Sequence, residues 1–354
     1  MWQARDEPFL GWRPLGIRRQ PPAPARRAAA PVDVLSELLR TVRLTGGLML
    51  RGDLSAPWAL QTPEPARLAS LLSPEARQLM LFHVVAEGDC WIDLADGQRL
   101  RLEREDVVVL PYGDQHTMGS DAAHAPLPVE PLLATARVAE GLSVVTHGGG
   151  GARTLLFCGY VQCDELMFNP LLKVLPPLLY ARAAAEPAGS LLTATVRQLI
   201  AAAQASQAGS ACMRARLAEL LFIEVLRRHI VALPPASFGS MGALNDPMVG
   251  RALHLLHARP ADRWTVDGLA HQVGTSRSRL AARFKTMLGQ PPMQYLTGWR
   301  LQLAARLLRE GAPGVAAVAA HVGYESEAAF NRAFKRHCGE PPATWRARAQ
   351  TRRM

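Results

Sequence analysis

The spacing of apolar residues along this chain changes twice, and each change predicts a different kind of structure. Between residues 32 and 43 apolar residues recur at helical spacing behind Asp33, a residue type that often begins a helix. Short apolar runs bounded by Gly, Pro or Asp follow, and they predict β-strands. These runs lie at residues 47–54, 78–85, 90–94 and 106–110. Many short strands with turn signals predict a β-rich sandwich or small barrel over residues 31–165.

Helical spacing returns in the middle of the chain. From Asn169 to about Leu233 the pattern predicts helices, and we assign residues 166–232 to a helical packing or dimerisation segment. The broad apolar stripe within residues 214–230 is consistent with core packing, which we favour, or with a dimer interface. Residues 233–245 concentrate Pro, Gly and Ser and predict a linker. Residues 1–30 lack periodicity and are interpreted as a disordered tail or as a mis-assigned start.

The C-terminal part of the chain carries one pattern twice, about 50 residues apart. Each copy has a short helix, a glycine suited to a tight turn and a serine suited to begin the next helix. These features are residues 266–272, Gly274 and Ser276 in the first copy, and residues 315–321, Gly323 and Ser326 in the second. Residues 293–309 predict a joining helix of roughly 25 Å. We therefore predict an all-α domain over residues 246–348, with two helix-turn-helix motifs able to enter successive DNA grooves.

The positive charge of this domain indicates that its partner is a polyanion. The chain has a net charge of +10, and residues 246–354 alone hold 17 Lys or Arg against 7 acidic residues. A basic excess confined to one domain is typical of DNA binding, although a solvated basic surface gives the same count. Five cysteines without a closely spaced pair predict a reducing compartment and no zinc finger. With no signal peptide and no membrane segment in the pattern, we expect a cytoplasmic, nucleoid-associated protein.

Several of these residues together resemble the signature of the AraC/XylS family of transcription regulators. They are Phe284-Lys285, Gly289, Pro292, the helix from Arg300 to Leu308, and the run from Gly323-Tyr324 to Pro341-Pro342. The resemblance implies double-stranded promoter DNA as a partner, contact with RNA polymerase, and a homodimer. It also implies two sets of base-reading positions. These are Arg277, Ser278, Ala281 and Ala282 in the first recognition helix, and Glu327, Ala328, Asn331 and Arg332 in the second.

The chemistry of these side chains indicates which contacts with DNA each of them can make. Arg332 can pair with guanine and Asn331 with adenine, each contributing about 1–3 kcal/mol of discrimination. Ala281 and Ala282 replace the longer polar side chains common in the family and offer only apolar contact, for example to a thymine methyl. A further basic set is expected to hold phosphates, which fixes register without reading sequence. This set is Arg279, Arg283, Lys285, Lys335 and Arg336, of which Arg283 and Arg336 can equally be solvated surface.

The N-terminal domain also resembles a known fold. Phe82-His83, Glu87-Gly88 and residues 106–116 are similar to the cupin domain of AraC-type regulators. Cupin enzymes hold a metal with more ligands than His83 and His116, and two ligands are too few for a closed site. We therefore expect no metal and no cofactor. His83, His116 and Cys90 remain candidates for sensing an effector or redox change, against the alternative that they are ordinary buried residues.

Together these patterns predict an α+β multi-domain protein, with a cupin-like barrel and helices followed by the helical DNA-binding domain. The leading function is a sequence-specific transcription regulator, an activator and not an enzyme, controlled by a small-molecule or redox signal. Two other classes remain open. One is a metal-dependent cupin enzyme fused to a DNA-binding domain, and the other is an architectural DNA binder that ignores sequence.

Overall fold

The structure is a computed structural model, and ten stretches of the chain are described. These are residues 34–36, 45–72, 79–120, 124–139, 141–162, 175–187, 189–205, 207–233, 242–311 and 314–351. The predicted tail at residues 1–30, Cys163 and residues 234–241 of the predicted linker lie outside them. Of the helix predicted at residues 32–43, only residues 34–36 are described, and they are helical.

The N-terminal domain is built from two β-sheets. The strands are β1 (Thr45–Ser55), β2 (Ala59–Gln61), β3 (Leu79–Glu87), β4 (Cys90–Leu94), β5 (Arg99–Leu102), β6 (Asp106–Leu110), β7 (His116–Gly119), β8 (Leu127–Pro128), β9 (Arg137–Ala139), β10 (Leu142–Gly148), β11 (Arg153–Gln162) and β12 (Leu179–Arg182). Within the described residues, one sheet has the order β12-β6-β3-β11-β1-β10-β9 and the other β5-β4-β7-β2-β8. Neighbouring strands are antiparallel except β1 with β10 and β2 with β8. The predicted β-rich domain is confirmed.

Strand β3 shows why the larger sheet needs partners on both faces. Residues 79–86 of this strand are all buried. Because side chains alternate across a strand, an unbroken buried run requires cover on both sides of the sheet. Leu81 and Val85 pack in the core between the two sheets, whereas Phe82 and Val84 belong to a second core on the opposite face.

Helices cover that opposite face. After α1 (Pro65–Leu72) and α2 (Glu130–Ala134), two longer helices follow the sheets, α3 (Leu191–Gln204) and α4 (Ser210–Ala232). Helix α3 begins at Ser190, whose hydroxyl accepts a hydrogen bond from the Thr193 N–H. In α4, Leu221, Val225 and Leu226 are buried in the second core, which confirms core packing for this part of the stripe.

The prediction of helix from Asn169 onward is wrong at β12. Leu179 and Ala181 are buried while Tyr180 and Arg182 are exposed, which is the alternation of an edge strand. Leu179 pairs with Val109 of β6 in an antiparallel ladder. Four residues are too few to show a period of their own, so the sequence pattern does not separate this strand from the helices that follow it.

The C-terminal region is entirely helical within residues 242–311 and 314–351, apart from turns. Its helices are α5 (Gly242–Asn245), α6 (Val249–Ala258), α7 (Val266–Val273), α8 (Arg277–Leu288), α9 (Pro292–Glu310), α10 (Val315–His321), α11 (Glu327–Cys338) and α12 (Pro342–Thr351). The predicted duplication is confirmed as the pairs α7–α8 and α10–α11, joined by α9. At 1.5 Å per residue the 19 residues of α9 span about 28 Å. In the described part of the chain, no helix is long and apolar enough to span a membrane.

Candidate nucleic-acid interface and barrel cavity

The two helix-turn-helix motifs share their backbone geometry. Gly274 and Gly323 have φ angles of 76° and 85°, the left-handed conformation that a tight turn between helices requires. Ser276 then begins α8 by accepting a hydrogen bond from the Arg279 N–H, and Ser326 begins α11 in the same way. These four positions confirm the turn and cap residues predicted from the repeat.

In the first recognition helix, α8, the buried and exposed faces separate as expected. Leu280 and Phe284 are fully buried beneath the helix. The predicted base-reading residues lie away from this core: Arg277, Ser278 and Ala282 are exposed and Ala281 is half-buried. Arg279 and Lys285, predicted to hold phosphates, are exposed as well. The face is accessible to DNA, and the role of each residue there stays a prediction.

Two arginines of α8 already have carboxylate partners. Arg277 lies 3.3 Å from Asp267, and both side chains are largely exposed. Arg283 donates two hydrogen bonds to Asp246, at 2.7 and 3.0 Å, and the Asp246 side chain is only 5% exposed. Burial alone would raise the pKa of Asp246, but hydrogen bonds from Val249 N–H, Arg283 and Met248 N–H outweigh it, and the pKa is lowered.

The second recognition helix, α11, presents a denser set of polar groups. Phe330 and Phe334 are fully buried, and a shallow groove of about 340 Å³ lies between α11, Val315 at the start of α10 and residues 341–343 at the start of α12. Four predicted residues line it: Glu327, Asn331, Arg332 and Lys335. The structure brings these together, with Ala328 and Arg336 also exposed on α11. Within the described residues, no carboxylate lies within salt-bridge distance of Arg332.

Sequence reasoning missed the contact between the two motifs. The guanidinium of Arg300, on α9, donates to the carbonyls of Pro260 and Asp262 in the loop before α7, at 2.7 and 2.8 Å. Arg263 of the same loop lies 2.8 Å from Glu325 in the turn of the second motif. The sequence shows a charged residue in each loop, Arg263 and Glu325. It does not show that they pair, because the pairing depends on how the two motifs pack around α9.

In the barrel, His83 of β3 and His116 of β7 meet between the two sheets. Their Nε2 atoms lie 2.8 Å apart, and both side chains are buried. Burial lowers the pKa of His116 to about 4, against the opposing hydrogen bond to the Asp114 carbonyl. Burial, and then the charge of His116, keep the pKa of His83 well below its usual value. Both rings are therefore neutral at physiological pH.

The two histidines line a small cavity of about 60 Å³ whose other walls are mostly apolar. Cys158 also lines it, and burial raises the pKa of this thiol to about 12. Cys90 is buried nearby, and burial likewise raises its pKa, which disfavours the reactive thiolate. In the described ranges no three His, Cys, Asp or Glu side chains converge to hold a metal ion.

Comparison with known proteins places these features in context. A family profile described as Cupin matches residues 33–231, and one described as Helix-turn-helix domain matches residues 269–348. The chain is 37% identical over 319 residues to an AraC-like transcription regulator of Streptomyces lividans, covering 89% of this chain and 96% of that protein. It is also 37% identical to an AraC-like transcription regulator of Streptomyces antibioticus, covering 77% of this chain and 88% of that protein.

A solved structure from Chromobacterium violaceum, of a transcriptional regulator described by its AraC-type DNA-binding domain, is similar to a shorter part of the chain. It is 28% identical, covers 30% of this chain and 96% of its own, and has a TM-score of 0.29.

Proposed function

This chain belongs to the AraC-type family of DNA-binding transcription regulators with a cupin-like N-terminal domain, and we propose that it reads two successive major grooves of one promoter duplex. Helices α8 and α11 are the two recognition helices. The observation that carries the proposal is the duplicated motif, in which each second helix buries one face and leaves a polar face accessible.

Base reading is assigned chiefly to the second motif. Arg332 is exposed and Asn331 half-buried in the α11 groove, and their side chains suit guanine and adenine edges respectively. The alanines of α8 leave the first motif with apolar contacts and with Arg277 and Ser278. We therefore assign sequence discrimination mainly to α11 and phosphate contacts to Arg279, Lys285, Lys335 and Arg336.

The junction between the motifs supports simultaneous docking. The bonds from Arg300 fix the loop at residues 260–262 to α9, and that loop packs closely against the turn of the second motif, since a Cβ on Gly323 would lie 2.8 Å from Ala261. The Arg263–Glu325 ion pair adds little, because its side chains are 88% and 75% exposed. Two motifs held in one orientation avoid part of the entropy that independent modules lose on binding.

The remaining assignments belong to the same proposal. The protein acts as a homodimer in the cytoplasm, on nucleoid DNA, and it activates transcription through RNA polymerase. Its cupin-like domain responds to a small-molecule or redox signal and has no catalytic role. Because Cys90 and Cys158 are buried thiols with raised pKa values, a small molecule is the favoured signal.

The test begins with genome-wide mapping of the DNA bound by the full chain. Fluorescence anisotropy then measures the affinity for the strongest mapped site and for random DNA, at one stated salt concentration. Loss of a base contact worth 1–3 kcal/mol corresponds to a roughly 5- to 150-fold weaker affinity, so Arg332→Ala should weaken binding to the mapped site by that factor. The affinity for random DNA should change much less.

Arg104→Ala is the matched control, because Arg104 is an exposed arginine of the barrel, far in sequence from both motifs. It should leave both affinities unchanged. Equal losses on mapped and random DNA with Arg332→Ala would contradict the base-reading role. Binding spread evenly over the genome, with no strong site, would contradict the regulator proposal as a whole.

A further inference from the structure

The polar side chains that line the α11 groove make no contact with one another. They are Glu327, Asn331, Arg332 and Lys335. In the described part of the chain, no hydrogen bond or ion pair joins any of these side chains to another residue. On α8, by contrast, two arginines already bind carboxylates, those of Asp246 and Asp267. The α11 groove therefore offers four unpaired polar groups to DNA.

Glu327 is the acidic member of this set. It is the first residue of α11, it is exposed, and the other charged side chains of the groove, Arg332 and Lys335, are basic. No Lys or Arg of the described ranges lies within salt-bridge distance of its carboxylate. The residue four positions later, where a helical ion-pair partner would lie, is the neutral Asn331. A carboxylate that no protein cation neutralises thus faces the surface that DNA approaches.

Such a carboxylate lowers the affinity for DNA in general, because it repels phosphates. It raises the affinity only where a base edge offers a hydrogen-bond donor. In the major groove the donors are the N6 amino group of adenine and the N4 amino group of cytosine. The adenine amino group lies beside the N7 acceptor, whose lone pair repels a carboxylate, whereas cytosine presents its amino group with no acceptor next to it on the same base. A carboxylate therefore selects cytosine.

We propose that Glu327 reads a cytosine in the site bound by α11, by accepting a hydrogen bond from the N4 amino group of that base. This inference rests on the proposed function above, since it names one base of the DNA that α11 recognises. Glu327 and Arg332 are separated by about 7.5 Å along the helix axis, at 1.5 Å per residue. Because successive bases rise about 3.4 Å, the cytosine should lie roughly two base pairs from the guanine assigned to Arg332.

The test selects bound sequences from a pool of randomised duplexes, with the full chain and two variants. Glu327→Gln keeps the size of the side chain but replaces the carboxylate with an amide, which suits adenine. One position of the selected site should prefer cytosine about tenfold or more in the native chain. In Glu327→Gln that preference should disappear or pass to adenine.

Glu325→Gln is the matched control, because Glu325 is an exposed acidic residue in the turn of the same motif and pairs with Arg263. It should leave every base preference unchanged. Two other roles of Glu327 predict a different result. Interaction of the carboxylate with the dipole of α11 stabilises the helix without reading a base, and repulsion of phosphates weakens binding to all duplexes alike. An unchanged cytosine preference in Glu327→Gln would therefore overturn the proposal, as would an equal loss in Glu325→Gln.

A modified base tests the native chain directly. N4-methylcytosine still pairs with guanine, but its methyl group replaces the N–H that faces the major groove. Fluorescence anisotropy should show that the native chain binds the selected duplex about tenfold less tightly when this base stands at the predicted position. Glu327→Ala, which has no acceptor to lose, should bind the two duplexes equally. Equal binding of both duplexes by the native chain would refute the cytosine contact.

The selection also distinguishes this inference from the proposed function. Failure to enrich any sequence would contradict the regulator proposal itself. An enriched site whose base preferences do not change in Glu327→Gln would overturn the cytosine contact alone.

Discussion

The carboxylate of Asp246 is expected to hold the first recognition helix in place. It accepts hydrogen bonds from the N–H groups of Met248 and Val249, at 3.0 and 2.8 Å, where α6 begins. It also accepts two from Arg283 of α8. Loss of a helix cap costs about 1 kcal/mol. A hydrogen bond to a charged group is worth about 1.5–3 kcal/mol, and we take the low end because the Arg283 side chain is 33% exposed. Asp246→Ala should then destabilise this module by about 2.5 kcal/mol.

Asp267→Ala provides the matched control. Asp267 also pairs with an arginine of α8, Arg277, but both side chains are about two-thirds exposed and lie 3.3 Å apart. Such surface pairs contribute about 0–1 kcal/mol, so Asp267→Ala should cost less than about 1 kcal/mol. Because unfolding of a multi-domain chain is not one transition, native-state hydrogen exchange of the peptides covering α8 is the suitable assay.

In that assay the opening free energy of α8 should fall by about 2.5 kcal/mol in Asp246→Ala and far less in Asp267→Ala. The lowered pKa of Asp246 adds a pH dependence. A carboxylate with a depressed pKa contributes its stability above the unfolded value of about 3.9 and loses it as pH falls through the folded value. The contribution should thus be constant between pH 7 and 5. Equal effects of the two substitutions would refute the assignment of Asp246 as an anchor.

Two further predictions concern the turns and the barrel. Gly323→Ala should destabilise the C-terminal domain more than Gly274→Ala, as measured by thermal unfolding, because a Cβ on Gly323 would lie 2.8 Å from the Ala261 backbone whereas Gly274 has open space. Gly274→Ala should cost about 1 kcal/mol, the strain of a left-handed alanine, and equal costs would contradict the close contact. For the barrel, the lowered pKa of His83 and that of His116, about 4, predict loss of stability as pH falls from about 6.5 toward 4. Melting curves at several pH values should show a smaller loss in a variant with both histidines replaced by glutamine than in the native chain, because buried His257, whose pKa is lowered to about 3, contributes a loss of the same sign in both; an equal loss in the two chains would contradict the prediction.

The sequence predicts best those features of the structure that depend only on residues close together in the chain. The caps Ser276 and Ser326 and the left-handed Gly289 and Gly339 act within a few residues of their positions in the chain, so their patterns are readable without a fold. The repeat strengthens these predictions, because each helix, turn and cap residue of one motif has a counterpart in the other. The repeat also predicts a helix at residues 315–321, and α10 has these bounds in the structure.

The parts that escaped prediction depend on residues distant in the sequence. Strand β12 exists because β6, some 70 residues earlier, offers it an edge, and the Tyr180 hydroxyl bonds to Asp106 there. The resemblance to cupin ligand positions indicates His83 and His116 separately and does not predict that they touch. Their direct hydrogen bond follows only from the way the two sheets face each other.

Residues 242–246 connect α4 of the N-terminal region to the first recognition helix, α8. Asn245 of α5 donates from its side chain to the Ile230 carbonyl of α4, at 3.0 Å. The next residue, Asp246, binds Arg283 of α8. The same hydrophobic core that contains Ile230 continues through Ala243 and into the first helix-turn-helix module. A displacement of the C-terminal end of α4 that kept the Asn245–Ile230 bond would carry α5 with it, and the residue after α5, Asp246, anchors α8.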